Sequence, residues 1–366
     1  MAEVSLKVTS KPLDSVESLK ADWESLEKHA EPTVFLSWQW IGVWLWAYRP
    51  VGHVIRAYDG EELVGIGIIV SVVEWRHQFL RSRTLRLHQL GDVCLDQIWI
   101  EYNGFLSKVG WEDRVNAAAM KYLCNEFEDW DEFIVGAIDS KLADSYARNS
   151  GLRSHIRWEA PRYGVDLEVL RSSQRAYLST LSRNTRYQIN RSKRIYLSEG
   201  KLSIERPESV EDALQIFDQI GPLHRDKWGD STGGSGFANP MFLKFHHRLI
   251  RDYWEKGGVD IVLLKVGNKK VATFYNLVYD KVVYFYLNGL DKSGHKHEKP
   301  GLVGHSLCIE DYCQDGFSFY DFMGGAERYK ASLGKETGKL VQVSLQRNRI
   351  KLRMEDAVRR LRRAIP

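Results

Sequence analysis

The chain writes one order of helices and strands twice. In the first half a helical pattern from Leu13 to Ala30, with Asp14 or Ser15 as its N-cap, precedes a second helix from Phe35 to Tyr48. That second helix is apolar on nearly every face, the pattern of a buried element. Two strand patterns, Val54–Tyr58 and Leu63–Val73, then flank Asp59-Gly60, a pair suited to a tight hairpin turn. Strand Leu85–Leu90, helix Arg114–Glu126, strand Glu132–Ala137 and a short helix from Lys141 to Asn149 follow. The second half keeps this order. A long basic helix spans Gln174 to Tyr196 and a second helix Val210 to Trp228; strands Val259–Val266 and Val271–Tyr279 form a hairpin around Asn268. Strand Lys281–Leu290, a loop rich in Gly, His and Lys to Gly301, helix Leu302–Gln314, strand Phe317–Phe322, short helix Ala326–Leu333 and strand Leu340–Leu345 complete it. No residue-level period accompanies the repeat, so a solenoid is excluded. The expected architecture is α+β (mixed α/β), with two similar domains at 1–160 and 161–366 and a boundary in Arg157–Val165, around Pro161.

Composition removes several alternatives. With 366 residues, 43% of them hydrophobic and 27% charged, the chain can bury a large core and is neither disordered nor collagen-like. Four cysteines, Cys94, Cys124, Cys308 and Cys313, show no CxxC and no disulfide framework, which suits a reducing cytoplasm. The first residues lack the apolar stretch of a signal peptide, and the longest apolar run, Val64 to Val73, falls far short of the ~20 residues of a spanning helix. A soluble cytoplasmic protein is expected. Net charge is only +4, but it is unevenly distributed. Arg183, Arg186, Arg191, Lys193 and Arg194 stand together without an acid, and the segment from Arg347 to Arg363 is also strongly basic. The remainder of the chain is acidic, with a net charge of −7.

Three segments carry candidate chemistry. Lys299-Pro300-Gly301-Leu302-Val303-Gly304-His305 follows a strand and opens a helix, whose N-terminal N–H groups and partial positive charge suit a phosphate. An ordinary turn would use the same glycines, and neither a Walker loop nor a dinucleotide fingerprint is present. Phe319 to Gly334 ends a strand in Asp321, turns at Gly324-Gly325, and presents Glu327, Tyr329 and Lys330 on a short helix. These offer a base, an acid or thiolate stabiliser, and a cationic clamp, unless they form a solvated helix face. The basic helix pairs Arg183 with Arg186 on one face, which suits phosphate contact; sparse aromatic interleaving argues against nucleic acid. The C-terminal basic segment reads as a solvated or docking helix. Among the histidines no metal-ligand spacing appears, so no metal is expected; His224, beside Arg225, Asp226 and Trp228, reads as a substrate contact or base. No Gly-x-Ser-x-Gly elbow is present.

The order over residues 259–334 resembles the GNAT acyltransferase fold, and motifs along the chain resemble one branch of it: the tandem-GNAT, CelD/BcsL-like acetyltransferases related to the Fem aminoacyltransferases. The matching pieces are Phe35-Leu-Ser-Trp-Gln-Trp40, Asp59-Gly60 with Leu63-Val-Gly-Ile66, Leu181-Ser-Arg-Asn-Thr-Arg186, His224-Arg-Asp-Lys-Trp228, Pro300-Gly301 and Asp321-Phe-Met-Gly-Gly-Ala-Glu-Arg-Tyr-Lys330. The resemblance implies two tandem GNAT-like domains with a cleft between them, the first without CoA. It implies acetyl-CoA in the second domain at Pro300, Gly301, Leu302, Val303, Gly304 and His305, and catalytic roles among His224, Asp321, Glu327, Tyr329 and Lys330. An acceptor would contact Trp38, Asp92, Asn103, Arg183, Asn184, Arg186 and Trp228. The expected activity is N-acetyl transfer to a small-molecule acceptor, an amino sugar linked to a nucleotide and used in surface polysaccharide biosynthesis, with no nucleic-acid partner. The alternatives are Fem-like transfer from aminoacyl-tRNA and a non-catalytic binding module. Two departures stand out: Lys299 replaces the serine usual before Pro-Gly, and the Arg/Gln-x-x-Gly-x-Gly/Ala pyrophosphate motif is absent.

Overall fold

The computed structural model describes residues 6–76, 79–148, 150–229, 233–291 and 293–355. They form two compact units, one of residues 6–159 with 339–355 and the other of residues 160–338.

The first unit opens with β1 (Lys7–Pro12), a strand with no counterpart in the sequence reading, and α1 (Val16–Glu27), capped by the Ser15 side chain. Helix α2 (Trp38–Tyr48) buries Trp40, Ile41, Val43, Trp44 and Leu45, as its all-round apolar pattern requires. Strands β2 (His53–Asp59), β3 (Glu62–Arg76) and β4 (Leu80–Leu87) form a meander, with β5 (Leu106–Ser107) paired to β3. Helix α3 (Glu112–Glu126) crosses to β6 (Glu132–Asp139), which lies parallel to β4. Helix α4 (Ser140–Ala147) leads to β7 (Arg153–Asp166). The segment expected to hold the domain boundary is therefore part of a long strand, and the two units divide within it.

The second unit continues with α5 (Leu167–Ser172), α6 (Tyr177–Thr180) and α7 (Arg183–Glu199). The single long helix expected from Gln174 is thus broken before Arg183, where the Ser182 side chain accepts the Thr185 N–H and starts a new helix. Then come β8 (Leu202–Glu205), α8 (Val210–Trp228), α9 (Pro240–Tyr253), β9 (Val259–Val266), β10 (Lys269–Tyr279) and β11 (Val282–Leu290). Helix α10 (Pro300–Gln314) crosses to β12 (Phe319–Gly324), parallel to β11, followed by α11 (Arg328–Leu333) and β13 (Lys335–Gln346).

The two units share one strand plan. The first runs β1-β2-β3-β4-β6-β13 and the second β8-β9-β10-β11-β12-β7, each a meander with one parallel step and an antiparallel last strand. That last strand comes from the other half of the sequence: β13 pairs with β6, and β7 with β12. The expected domain 161–366 is corrected accordingly, because residues from Lys339 onward belong with the first unit. Each unit has its own apolar core. One gathers Ile69, Leu87, Phe133 and Val343, the other Val262, Phe274, Phe285 and Tyr320.

The described part of the basic C-terminal segment is a docking element. Arg347 donates to the carbonyls of Cys124 and Phe127 at 2.8 and 2.7 Å, capping the end of α3, and lies 4.4 Å from the centre of the Trp130 ring. Lys351 pairs with Asp131. The remainder, from residue 356, lies outside the described residues. No helix among the described residues is long and apolar enough to cross a membrane.

Candidate functional site

In the second unit the parallel ladder between β11 and β12 ends at the pair Tyr284 and Asp321, while β11 runs on to Leu290 and β12 to Gly324. Beside this end a bulge interrupts β10 and β11, where Asn276 faces Phe285 and Tyr275 faces Leu287, leaving Tyr286 as the extra residue. Helix α10 begins next to it. Pro300 occupies its first turn, Gly301 approaches Leu290, and Gly304 packs so closely on Phe274 that a Cβ there would lie 2.2 Å from the ring. Of the residues expected to hold a cofactor, Pro300, Gly301 and Leu302 stand at the helix end. Val303, Gly304 and His305 instead turn into the core. His305 meets the Tyr320 hydroxyl at 3.0 Å and stacks on Tyr329, and burial followed by the Lys330 charge pushes its pKa down to about 3.

Several cations, with the carboxylate of Glu298 beside them, gather around His297 just before this helix start. The Lys299 N–H donates to the Ser192 hydroxyl of α7 at 2.9 Å, which ties the loop to that helix. Desolvation and the charges of Arg191, Lys296, His295 and Lys299 hold His297 below the ordinary imidazole range. The Gly-, His- and Lys-rich loop is visible in the sequence, but Arg191 joins it only through the packing of α7 on α10. Arg183, Asn184 and Arg186 lie on the first turn of α7, where none of their side chains has a hydrogen bond or ion pair among the described residues. At 1.5 Å per residue they stand roughly 9–14 Å along the axis from Ser192.

The segment after β12 is held by its own groups. Met323 adopts φ 63° and its N–H donates to buried Asp321 at 2.7 Å. Lys330, largely buried, donates to the Gly324 carbonyl at 2.6 Å and pairs with Glu327 at 3.4 Å. The lysine therefore braces the Gly324-Gly325 turn. Glu327 is exposed, and burial followed by the Glu327 charge raises the Tyr329 hydroxyl above its ordinary range. On the other face of the sheet α8 packs Ile220 and Leu223 against Gly289 of β11, so His224 comes one residue after that contact. His224 meets the Ser235 hydroxyl at 2.8 Å and lies beside Trp228 and Phe237; burial and then Lys227 lower its pKa to about 4. Ser235 has no motif in the sequence that would single it out.

The first unit treats the equivalent place differently. Its parallel ladder ends at Arg86 and Ile134, and there Asn103 joins the two separating strands. The Asn103 amide donates to the Leu87 carbonyl at 2.8 Å, and its N–H donates to the Ala137 carbonyl at 3.3 Å. Its side-chain oxygen meets His88 Nδ1 at 2.9 Å. Gln89 fills the adjacent space over Gly136, and His88 Nε2 accepts the Ile68 N–H. Asn103, expected to touch an acceptor, is thus a buried strut. Trp38 is likewise interior, with its N–H on Glu27 and its ring near Trp23. Asp92 is exposed and caps the turn at Cys94 and Leu95.

Residues 183–331 match the family described as the acetyltransferase (GNAT) domain. Among solved structures, FemX is similar with a TM-score of 0.58 at 9% identity, covering 90% of this chain and 96% of that one. The C-terminal domain of a protein described as a lysylphosphatidylglycerol synthetase from Agrobacterium fabrum gives 0.55 at 11%, covering 94% and 96%. L-PGS from Bacillus licheniformis gives 0.54 at 12%, covering 93% and 96%. No curated protein sequence matches the chain. At these identities the structural likeness is one of fold. Within the second unit, residues 183–331 thus resemble a GNAT acetyltransferase domain by sequence, in a chain of mixed α/β architecture with two units of one strand plan.

Proposed function

We propose that the protein transfers an acetyl group from acetyl-CoA to the amine of a phosphate-bearing amino sugar, such as a nucleotide-linked one used in surface polysaccharide. The observation that carries this reading is the early end of the β11/β12 ladder beside a helix start that follows a loop where Arg191, Lys296, Lys299 and His295 act on His297. The donor set suits the ligand: first-turn N–H groups of Gly301 and Leu302 and nearby cations would bind a pyrophosphate, and the separated strands leave room for an extended arm. The thioester supplies an acyl carbon open to attack by a neutral amine.

The chain's own residues would do the rest. Glu327, an exposed carboxylate, takes the amine proton directly or through water, whereas Asp321 is buried and already accepts Met323 N–H. Lys330 keeps Glu327 and the Gly324 turn in place. Arg183 and Arg186, without ion pairs among the described residues, would bind the acceptor's phosphates. Aminoacyl transfer is the competing reading. Between α8 and β9 the described chain carries a single 14-residue helix, α9, packed on α8, rather than a helical arm such as Fem enzymes often carry, and this favours the acetyl-CoA reading.

Thermal shift with acetyl-CoA, CoA and a panel of UDP-, GDP- and dTDP-amino sugars tests it. A rise in midpoint with acetyl-CoA, and thiol release only when an amino sugar is added, is the expected outcome. No shift with any CoA species would remove the reading. An unchanged acceptor KM in Arg183→Ala/Arg186→Ala would remove the assigned phosphate contact.

A further inference from the structure

The Ser235 hydroxyl lies in a place closed to water, with 1% of the residue exposed. Its oxygen accepts the Phe237 N–H at 3.3 Å and stands 2.8 Å from His224 Nδ1. The backbone of Ser235 is already engaged, its N–H with the Gly229 carbonyl and its carbonyl with the Ala238 N–H. A hydroxyl has one proton to give, and leaving it undonated in a buried site costs about 1–3 kcal/mol. Among the described residues the acceptor within reach is His224 Nδ1. A ring nitrogen that accepts a hydrogen bond carries no proton, and a neutral imidazole has a single one, so that proton sits on Nε2. The opposite arrangement, Nδ1–H directed at the serine oxygen, leaves the serine proton without an acceptor among the described residues.

We infer that Ser235 is a positioning residue that holds His224 as its Nε2–H tautomer, so that His224 presents a hydrogen-bond donor at the end of α8 instead of a proton acceptor. The neighbouring rings of Trp228 and Phe237 limit rotation of the imidazole and preserve this orientation. Burial keeps the ring neutral near pH 7, and Lys227 adds to this. The group that a neutral N–H recognises is an oxygen: the carbonyl oxygen that gains charge during acyl transfer, or a hydroxyl or phosphate oxygen of the acceptor. This separates His224 from the proton-accepting role that its residue type alone suggests. The identity of that oxygen rests on the acyl-transfer reading; the tautomer does not.

The test is a long-range proton–nitrogen NMR spectrum of the full-length protein labelled with nitrogen-15 in the histidine rings, recorded near pH 7. The signals of His224 are assigned by their loss in His224→Gln. The expected result is a protonated Nε2 and an unprotonated, hydrogen-bonded Nδ1, with the pattern shifting to a tautomer mixture in Ser235→Ala and restored in Ser235→Thr. A protonated Nδ1 in the unaltered protein overturns the inference. An Nε2–H pattern that survives unchanged in Ser235→Ala overturns the role of Ser235. The spectrum of the unaltered protein is decisive for the tautomer even if Ser235→Ala fails to fold. Because no substrate is added, a failure of acetyl-CoA to bind leaves this result untouched and so can be told apart from it.

Discussion

Gly304 sets how closely α10 approaches the sheet. It sits inside a helix, where alanine would ordinarily gain about 1 kcal/mol. A Cβ at this position, however, would lie 2.2 Å from two ring atoms of Phe274, a side chain that is fully buried and has nowhere to move. Overpacking of this kind costs about 1–3 kcal/mol, so after the helix gain Gly304→Ala is expected to be destabilising by up to about 2 kcal/mol, read from the urea midpoint. Buried histidines add a pH dependence. Burial lowers His88 from 6.5 to about 4 and His305 from 6.5 to about 3, with the Lys330 charge contributing to the latter. Below pH 6.5 the unfolded chain takes up protons that the folded one refuses. Stability therefore falls as pH drops, down to about 4 for His88 and about 3 for His305, and neither adds a slope above 6.5. Melting midpoints between pH 7 and 5 should decline less steeply in His88→Gln than in the unaltered protein. A histidine is conspicuous in a sequence, but its neighbours are not. His88 and His305 prove to be buried side chains with internal partners, whereas His224 is only partly buried and meets Ser235, eleven residues away.

Elements show a similar division. Apolar spacing identifies α2, α8 and α10, and the Asp59-Gly60 hairpin forms as its turn chemistry requires, with β2 and β3 paired across it. The break before Arg183 is less legible, because basic residues on both sides suit helix and only the Ser182 cap separates them. Helix α7 also joins two groups of cations that the sequence presents as one run. Arg191 stands near the start of α10, whereas Arg183 and Arg186 lie roughly one and a half to two turns before it on α7. If the α10 start binds the phosphates of acetyl-CoA, Arg191→Ala combined with Lys299→Ala should weaken that ligand by about tenfold or more in calorimetry, as loss of charge-assisted hydrogen bonds worth ~1.5–3 kcal/mol implies. The loss should shrink at high salt. The same double variant should bind pantetheine, which lacks these phosphates, as the unaltered protein does.

At the scale of the whole molecule the repeated strand plan raises the question of how many acyl-CoA molecules one chain can take. Asn103 joins β4 to β6 where the ladder of the first unit ends, and Gln89 fills the adjoining space, so a single binding event per chain is expected. Calorimetry with acetyl-CoA should give one site, and a second site of comparable affinity would contradict the blocked first unit. The exchange of last strands also makes the C-terminal segment part of the first unit. There Ser344 and Arg157 both reach the fully buried Glu132, and Arg347 caps α3. The amino-acid sequence by itself determined the main helices and strands of each half, the repeat, the mixed α/β class and the helix start at Pro300, because hydrophobic period, turn residues and caps are local properties. Tertiary structure alone decided which half supplies each last strand, that Val303 to His305 and Asn103 face inward, and that Ser235 meets His224. These depend on pairing and packing between residues far apart in the chain, and a local pattern is the same whichever distant partner satisfies it.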